Sequence, residues 1–186
     1  MARWIGLTLV LAVATTAAAA PETVWQIGKP DRSYMEFAIA KDYAAWETRF
    51  GAKDPVFEVG KSDPAKDWPF IHPGPSDPWA GGREHPLTIR FGLEAEPRGV
   101  FTLRIEFVDV HARETPTYVV RVGGRAGEFR LQPGGGDGSL ADPAVGKPQK
   151  LELVLPAEVF KKGPNEIVVT STRGSWVQYD AITLLL

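Results

Sequence analysis

Phe101-Thr102-Leu103-Arg104-Ile105-Glu106-Phe107 alternates strictly between apolar and polar side chains. In an extended strand, successive side chains point to opposite faces. The apolar set therefore lines one face, and Thr102, Arg104 and Glu106 line the other. Leu87-Thr88-Ile89-Arg90-Phe91-Gly92-Leu93 repeats the pattern. Such strands are usual where one sheet face meets a core and the other meets water. The two runs together predict that Leu87, Ile89, Phe91, Leu93, Phe101, Leu103, Ile105 and Phe107 face one core.

Further strands flank this pair. Tyr118 to Val122 leads into Gly123-Gly124 and then Glu128 to Leu131, a hairpin whose glycines supply the positive φ angles of a tight turn. Leu151 to Leu155 is closed by Pro156, and Ile167 to Ser171 and Trp176 to Leu185 are the last two runs. Helical periodicity is thin: Ala40 to Glu47 reads as a short helix and Ala157 to Phe160 as one turn. Short strands at this spacing predict an all-β sandwich or barrel. Two long loops interrupt it. Residues 61–86 carry Pro64, Pro69, Pro73, Pro75, Pro78 and Pro86, and residues 132–149 surround Gly134-Gly135-Gly136-Asp137-Gly138. Long loops within a compact domain are uncommon and often functional.

Residues 1–19 read as a secretory leader: Arg3, an apolar stretch from Trp4 to Ala14, and small residues from Thr15 to Ala20 with cleavage after Ala18 or Ala19. The apolar run is shorter than the roughly 20 residues that span a bilayer. Residues 20–186 then form one domain, expected in the periplasm or outside the cell. The formal charge is −2, and loss of Arg3 makes it one unit more negative. That balance does not favour nucleic acid or an anionic membrane. There are 0 cysteines, which removes thiolate catalysis and cysteine metal sites, and a domain of this size can bury a core without disulfides.

The two ends of the chain carry matching motifs. Val24-Trp25-Gln26-Ile27-Gly28 is followed by Asp31 and Glu36-Phe37. The chain closes with Asn165 to Thr170, the corner Gly174-Ser175-Trp176, and Tyr179-Asp180-Ala181-Ile182-Thr183-Leu184. With Pro156, Gly163 and Asn165, this bracket resembles the C-terminal, carbohydrate-binding-like domain of rhamnogalacturonan lyases, polysaccharide lyase family 4. The resemblance spans roughly residues 24–186. It implies a galactose-binding-like jelly roll that binds sugar, and it includes nothing of the family's separate catalytic domain. The Pro- and Trp-rich loop departs from the family's pattern.

Sugar rings present C–H patches that a flat aromatic ring covers, while polar groups bond the hydroxyls. Trp68 and Trp79, held in the proline-stiffened loop beside Arg83, are the candidate platform, and Trp176 at the corner is a further candidate contact. Trp25 and Trp46 read as core. Arg83, Arg90, Arg104 and Arg121 are of the type that pairs bidentately with a uronate. Asp31 and Asp180, in the terminal motifs, are candidate ligands of a structural calcium, as jelly-roll sugar-binding domains often hold one; no other cofactor is expected. No paired carboxylates, Gly-x-Ser-x-Gly elbow or spaced histidine metal motif is present. The expected function is therefore non-catalytic binding of a polysaccharide, pectic or otherwise plant-derived. Two alternatives stay open: a compact lyase or hydrolase using His72, His85 and acidic loop residues, and a structural module docking on another exported protein.

Overall fold

The computed structural model describes residues 21–186; the leader expected at residues 1–19 lies outside the described residues. Ten strands form two sheets. In the first, β1 (Thr23–Gly28), β10 (Val177–Leu185), β5 (Val100–Val110) and β8 (Gln149–Pro156) lie side by side, and the two-residue β3 (Ile71–His72) also pairs with β10. In the second, the order is β2 (Val56–Glu58), β4 (Leu87–Leu93), β9 (Gly163–Arg173), β6 (Thr117–Val122) and β7 (Arg125–Arg130). Among these ten strands, β2–β4 is the one parallel pairing. The chain changes sheet at every connection except β6–β7. This is an all-β sandwich, one of the two forms that the strand spacing predicts, and a jelly roll as the family resemblance implies.

The two alternating runs belong to opposite sheets and meet in the middle. Ile89, Leu103, Ile105 and Phe107 are fully buried, with Phe91 and Phe101 nearly so. On the outer faces the polar partners pair across strands: Arg90 Nε meets Glu166 Oε2 at 3.0 Å, and Arg104 Nε meets Glu152 Oε1 at 2.7 Å. At the end where Glu22 pairs with Leu186, Trp25, Phe91, Phe160 and Phe101 pack ring against ring at centroid separations of 4.9–5.9 Å. The β6–β7 turn has φ of 55° at Gly123 and 76° at Gly124, angles that side chains other than glycine's resist. A Cβ at Gly123 would also sit 2.0 Å from the Val159 carbonyl oxygen.

Two elements differ from the sequence expectation. The helix read at residues 40–47 starts later, as a 3₁₀ turn at Tyr43–Ala45 running into α1 (Trp46–Phe50). Its start follows burial: Trp46 is fully enclosed, edge-on to His85 at 5.2 Å, and Phe50 is buried beside it. The Pro-rich loop is also more ordered than its prolines suggest, holding α2 (Pro64–Asp67) and β3. Asp63 caps α2 by accepting the Ala65 amide, with Pro64 at the first helical position, where its missing N–H costs nothing.

Candidate functional site

Five connections gather at one end of the sandwich: β1–β2, β3–β4, β5–β6, β7–β8 and β9–β10. Each delivers a side chain to a cleft of about 180 Å³: Tyr43, Trp79, His111, Asp137 and Trp176 in chain order, with Asp77 and Ser175 at the base.

The cleft is built from backbone anchoring. Residues 74–77 lie against the β9–β10 corner: the Ser76 amide donates to the Gly174 carbonyl at 3.0 Å. Gly74 is required there, because a Cβ would stand 2.4 Å from that same oxygen. The Ser175 hydroxyl donates to Asp77 Oδ1, and the Gly74 amide donates to Asp77 Oδ2 at 2.8 Å. Asp77 then leads into the 3₁₀ turn Pro78–Ala80, which presents Trp79 half-buried. Tyr43 stands edge-on to Trp79 at 5.2 Å. Across the cleft, His111 stands edge-on to Trp176 at 5.4 Å, and the His111 amide donates to the Trp176 carbonyl at 3.0 Å. The β7–β8 loop is tied to β5 through the Gly135 amide, which donates to Asp109 Oδ1 at 2.8 Å, and this places Asp137 at the rim.

The electrostatics follow from burial. Desolvation raises the Asp77 pKa, opposed by the Ser175 hydroxyl, the Gly74 amide, His111 and the Trp79 indole. Asp137 is exposed and makes no hydrogen bond or ion pair among the described residues. The Glu114 amide donates to His111 Nδ1 at 2.9 Å, which leaves the proton of the neutral ring on Nε2.

The sequence candidates divide. Trp79 and Trp176 come together in this cleft. Trp68 does not: it is fully buried, 5.4 Å from the ring of Tyr179 and 6.2 Å from that of Phe57, and offers no face to a ligand. The strand-like backbone that ends α2 turns the ring inward onto the core. Arg83 is exposed but lies outside the cleft, held by Asp54 at 3.0 Å and by the Glu84 carbonyl. Tyr43, Asp77, His111 and Asp137 line the cleft and were missed by sequence reasoning. The one usable signal was the run Asp77-Pro78-Trp79, an N-terminal turn signature that aims the tryptophan.

His72 and His85 are structural. Both are fully buried. His72 Nε2 donates to the His85 carbonyl at 2.7 Å, and Nδ1 accepts from the Tyr179 hydroxyl at 2.8 Å. Burial pushes the His72 pKa down to about 3 and raises those of Tyr118 and Tyr179, whose hydroxyls touch. His85 reaches Asp54 Oδ1 with Nδ1 at 2.9 Å and the Ala80 carbonyl with Nε2 at 2.8 Å, which steadies the turn carrying Trp79.

Asp180 Oδ1 accepts the amides of Asp31, Arg32 and Ser33 at 2.9–3.2 Å, so this oxygen is committed to N–H donors. Asp31 contributes its backbone amide to that arrangement. Among the described residues no three His, Cys, Asp or Glu side chains gather in one cluster.

A second, wider groove of about 1030 Å³ crosses the outer face of the second sheet, past Arg90, Arg121, Glu166 and Lys61. Much of its charge is spent internally, in Arg90–Glu166 and Lys61–Glu58. Its aromatic residues, Phe91 and Phe160, are buried. It has no exposed ring on which a sugar could stack, so the smaller cleft is the better candidate.

A two-sheet jelly roll with its long loops gathered at one end is the architecture of a carbohydrate-binding-module-like domain. Residues 23–184 match the family model "CBM-like: Polysaccharide lyase family 4, domain III". The chain belongs to that family. A rhamnogalacturonate lyase of Dickeya dadantii (strain 3937) is 28% identical over 170 residues, covering 86% of this chain and 27% of the lyase. The chain thus spans about a quarter of the curated relative it matches. Among solved structures, a family GH115 4-O-methyl-α-glucuronidase specific for decorated arabinogalactans aligns with a TM-score of 0.45 at 14% identity, over 92% of this chain and 19% of that one. A family 35 carbohydrate-binding module from an environmental isolate aligns with a TM-score of 0.36 at 15% identity, over 55% and 64%. Among the described residues no helix is long and apolar enough to cross a membrane.

Proposed function

We propose that this domain is exported and binds a plant polysaccharide, of the pectic class its lyase relative is named for, at the loop-end cleft and without making or breaking bonds. The observation that carries this reading is the convergence of Trp79, Tyr43 and Trp176 with the carboxylates of Asp77 and Asp137 in one cleft. The rings of Tyr43 and Trp79 offer apolar surface for the C–H face of a sugar, and Asp137 and His111 Nε2 supply an acceptor and a donor for its hydroxyls. At about 180 Å³ the cleft is smaller than the roughly 300–1,000 Å³ pockets of drug-sized ligands, which suits a single glycosyl unit.

The catalytic alternative has one observation in its favour, the presence of His111 and two carboxylates in the same cleft. Against it, both Asp77 oxygens are already bonded and the His111 Nδ1 lone pair is occupied. His72 and His85, the histidines first considered for catalysis, are sealed in the core. A glycan array probed with residues 20–186, followed by product analysis on each hit, tests the proposal. Array signals lost on Trp79→Ala, with the glycan recovered intact, support binding; unsaturated or shortened products favour the enzyme.

A further inference from the structure

We infer that the loop-end cleft takes an uncharged hexosyl unit and rejects a uronate, a specificity that rests on the carbohydrate reading of the same cleft. Among the described residues its charged lining is acidic: Asp77 and Asp137 face it, and no lysine or arginine does. The carboxylate of a uronate seated there would meet two carboxylates and no guanidinium or ammonium group. An uncharged hexose instead brings hydroxyl donors to the free oxygens of Asp137, and a carboxylate accepts such hydrogen bonds in a charge-assisted form.

The arginines suited to a uronate are placed elsewhere. Arg90 and Arg104 stand on outer sheet faces and are paired with Glu166 and Glu152. Arg83 is clamped by Asp54, and Arg121 opens onto the wider groove rather than the cleft. The rings of Tyr43 and Trp79 are indifferent to charge at a distant ring substituent, so they set the stacking and leave the choice of sugar to the carboxylates. Asp77 is locked by the Ser175 hydroxyl and the Gly74 amide, which fixes the position of its carboxyl group at the base of the cleft. Asp137 is exposed and unbonded, and is the residue that can be altered without disturbing the fold.

The test compares an oligogalacturonate with its carboxyl-reduced counterpart, in which every uronate has become an uncharged galactosyl unit. Calorimetric titration of the domain is expected to give at least about tenfold tighter binding of the reduced probe. Oligogalacturonate binding should strengthen as salt is raised, because screening relieves like-charge repulsion. Asp137→Asn keeps an oxygen acceptor and removes one charge, and should narrow the difference between probes. Equal or tighter binding of the oligogalacturonate overturns the inference, as does a preference unmoved by Asp137→Asn or a failure of both probes to bind. If the reduced probe binds but Trp79→Ala leaves it untouched, the placement of the sugar in this cleft is what fails.

Discussion

Across 98 residues of chain, the Ser175 hydroxyl donates a hydrogen bond to Asp77 Oδ1, both groups being buried. That contact joins the Pro-rich loop to the β9–β10 corner and so brings Trp79 and Trp176 into one cleft. Ser175→Ala removes a donor from a buried carboxylate. The expected cost is about 1–3 kcal/mol. Thermal melting should fall by several degrees, and array binding should weaken, since the loop that holds Trp79 loses its anchor.

The two loop tryptophans should separate cleanly. Trp68→Ala empties a fully buried site and should destabilise by about 3–5 kcal/mol. In a domain of this size that lowers the melting temperature by roughly 6–20 °C. Trp79→Ala, at a half-buried ring, should cost less than half as much stability. It should weaken sugar binding by about five- to hundredfold, the equivalent of about 1–3 kcal/mol of lost stacking surface. Melting curves and titrations on both variants check the contrast.

Leu103 lies within β5 and is fully buried. Leu103→Ala should cost about 2–5 kcal/mol by denaturant titration, the range depending on how far the two sheets relax into the space. Thr102→Ala, one residue earlier on the outer face, should fall within about 0.5 kcal/mol of the parent.

Asp180 gives the chain a pH signature. Burial raises its pKa from 3.8 to about 6, only partly opposed by the amides of Ser33, Arg32 and Asp31. The folded state therefore holds this proton more tightly than the unfolded chain does. Its contribution is full below about pH 4 and is lost as pH rises through about 6. Asp180→Asn keeps the acceptor oxygen and removes the titration. The difference in stability between parent and variant should change by about 1 kcal/mol between pH 4 and 7, the partial solvation of the carboxylate screening the rest. Urea denaturation at pH 4, 5, 6 and 7 measures it; a constant difference would show that Asp180 does not titrate in this window.

Alternation along 87–93 and 101–107, with the short strands around it, was enough to predict a sandwich or barrel, because a period of two leaves each strand one apolar face that must be covered. The glycine pair at 123–124 marked its hairpin for an equally local reason, the sign of φ. The terminal motifs pointed to the family through residues adjacent in sequence. The cleft is a different kind of object. Tyr43, Asp77, His111, Asp137 and Trp176 come from five loops, and nothing in the spacing of any one loop encodes its distance from the others. Nor could the sequence separate Trp68 from Trp79, both set among prolines in the same loop. Only the packed core decides that one ring is needed between Tyr179 and Phe57 while the other is left at the rim, because burial is a property of what the rest of the chain places around a side chain.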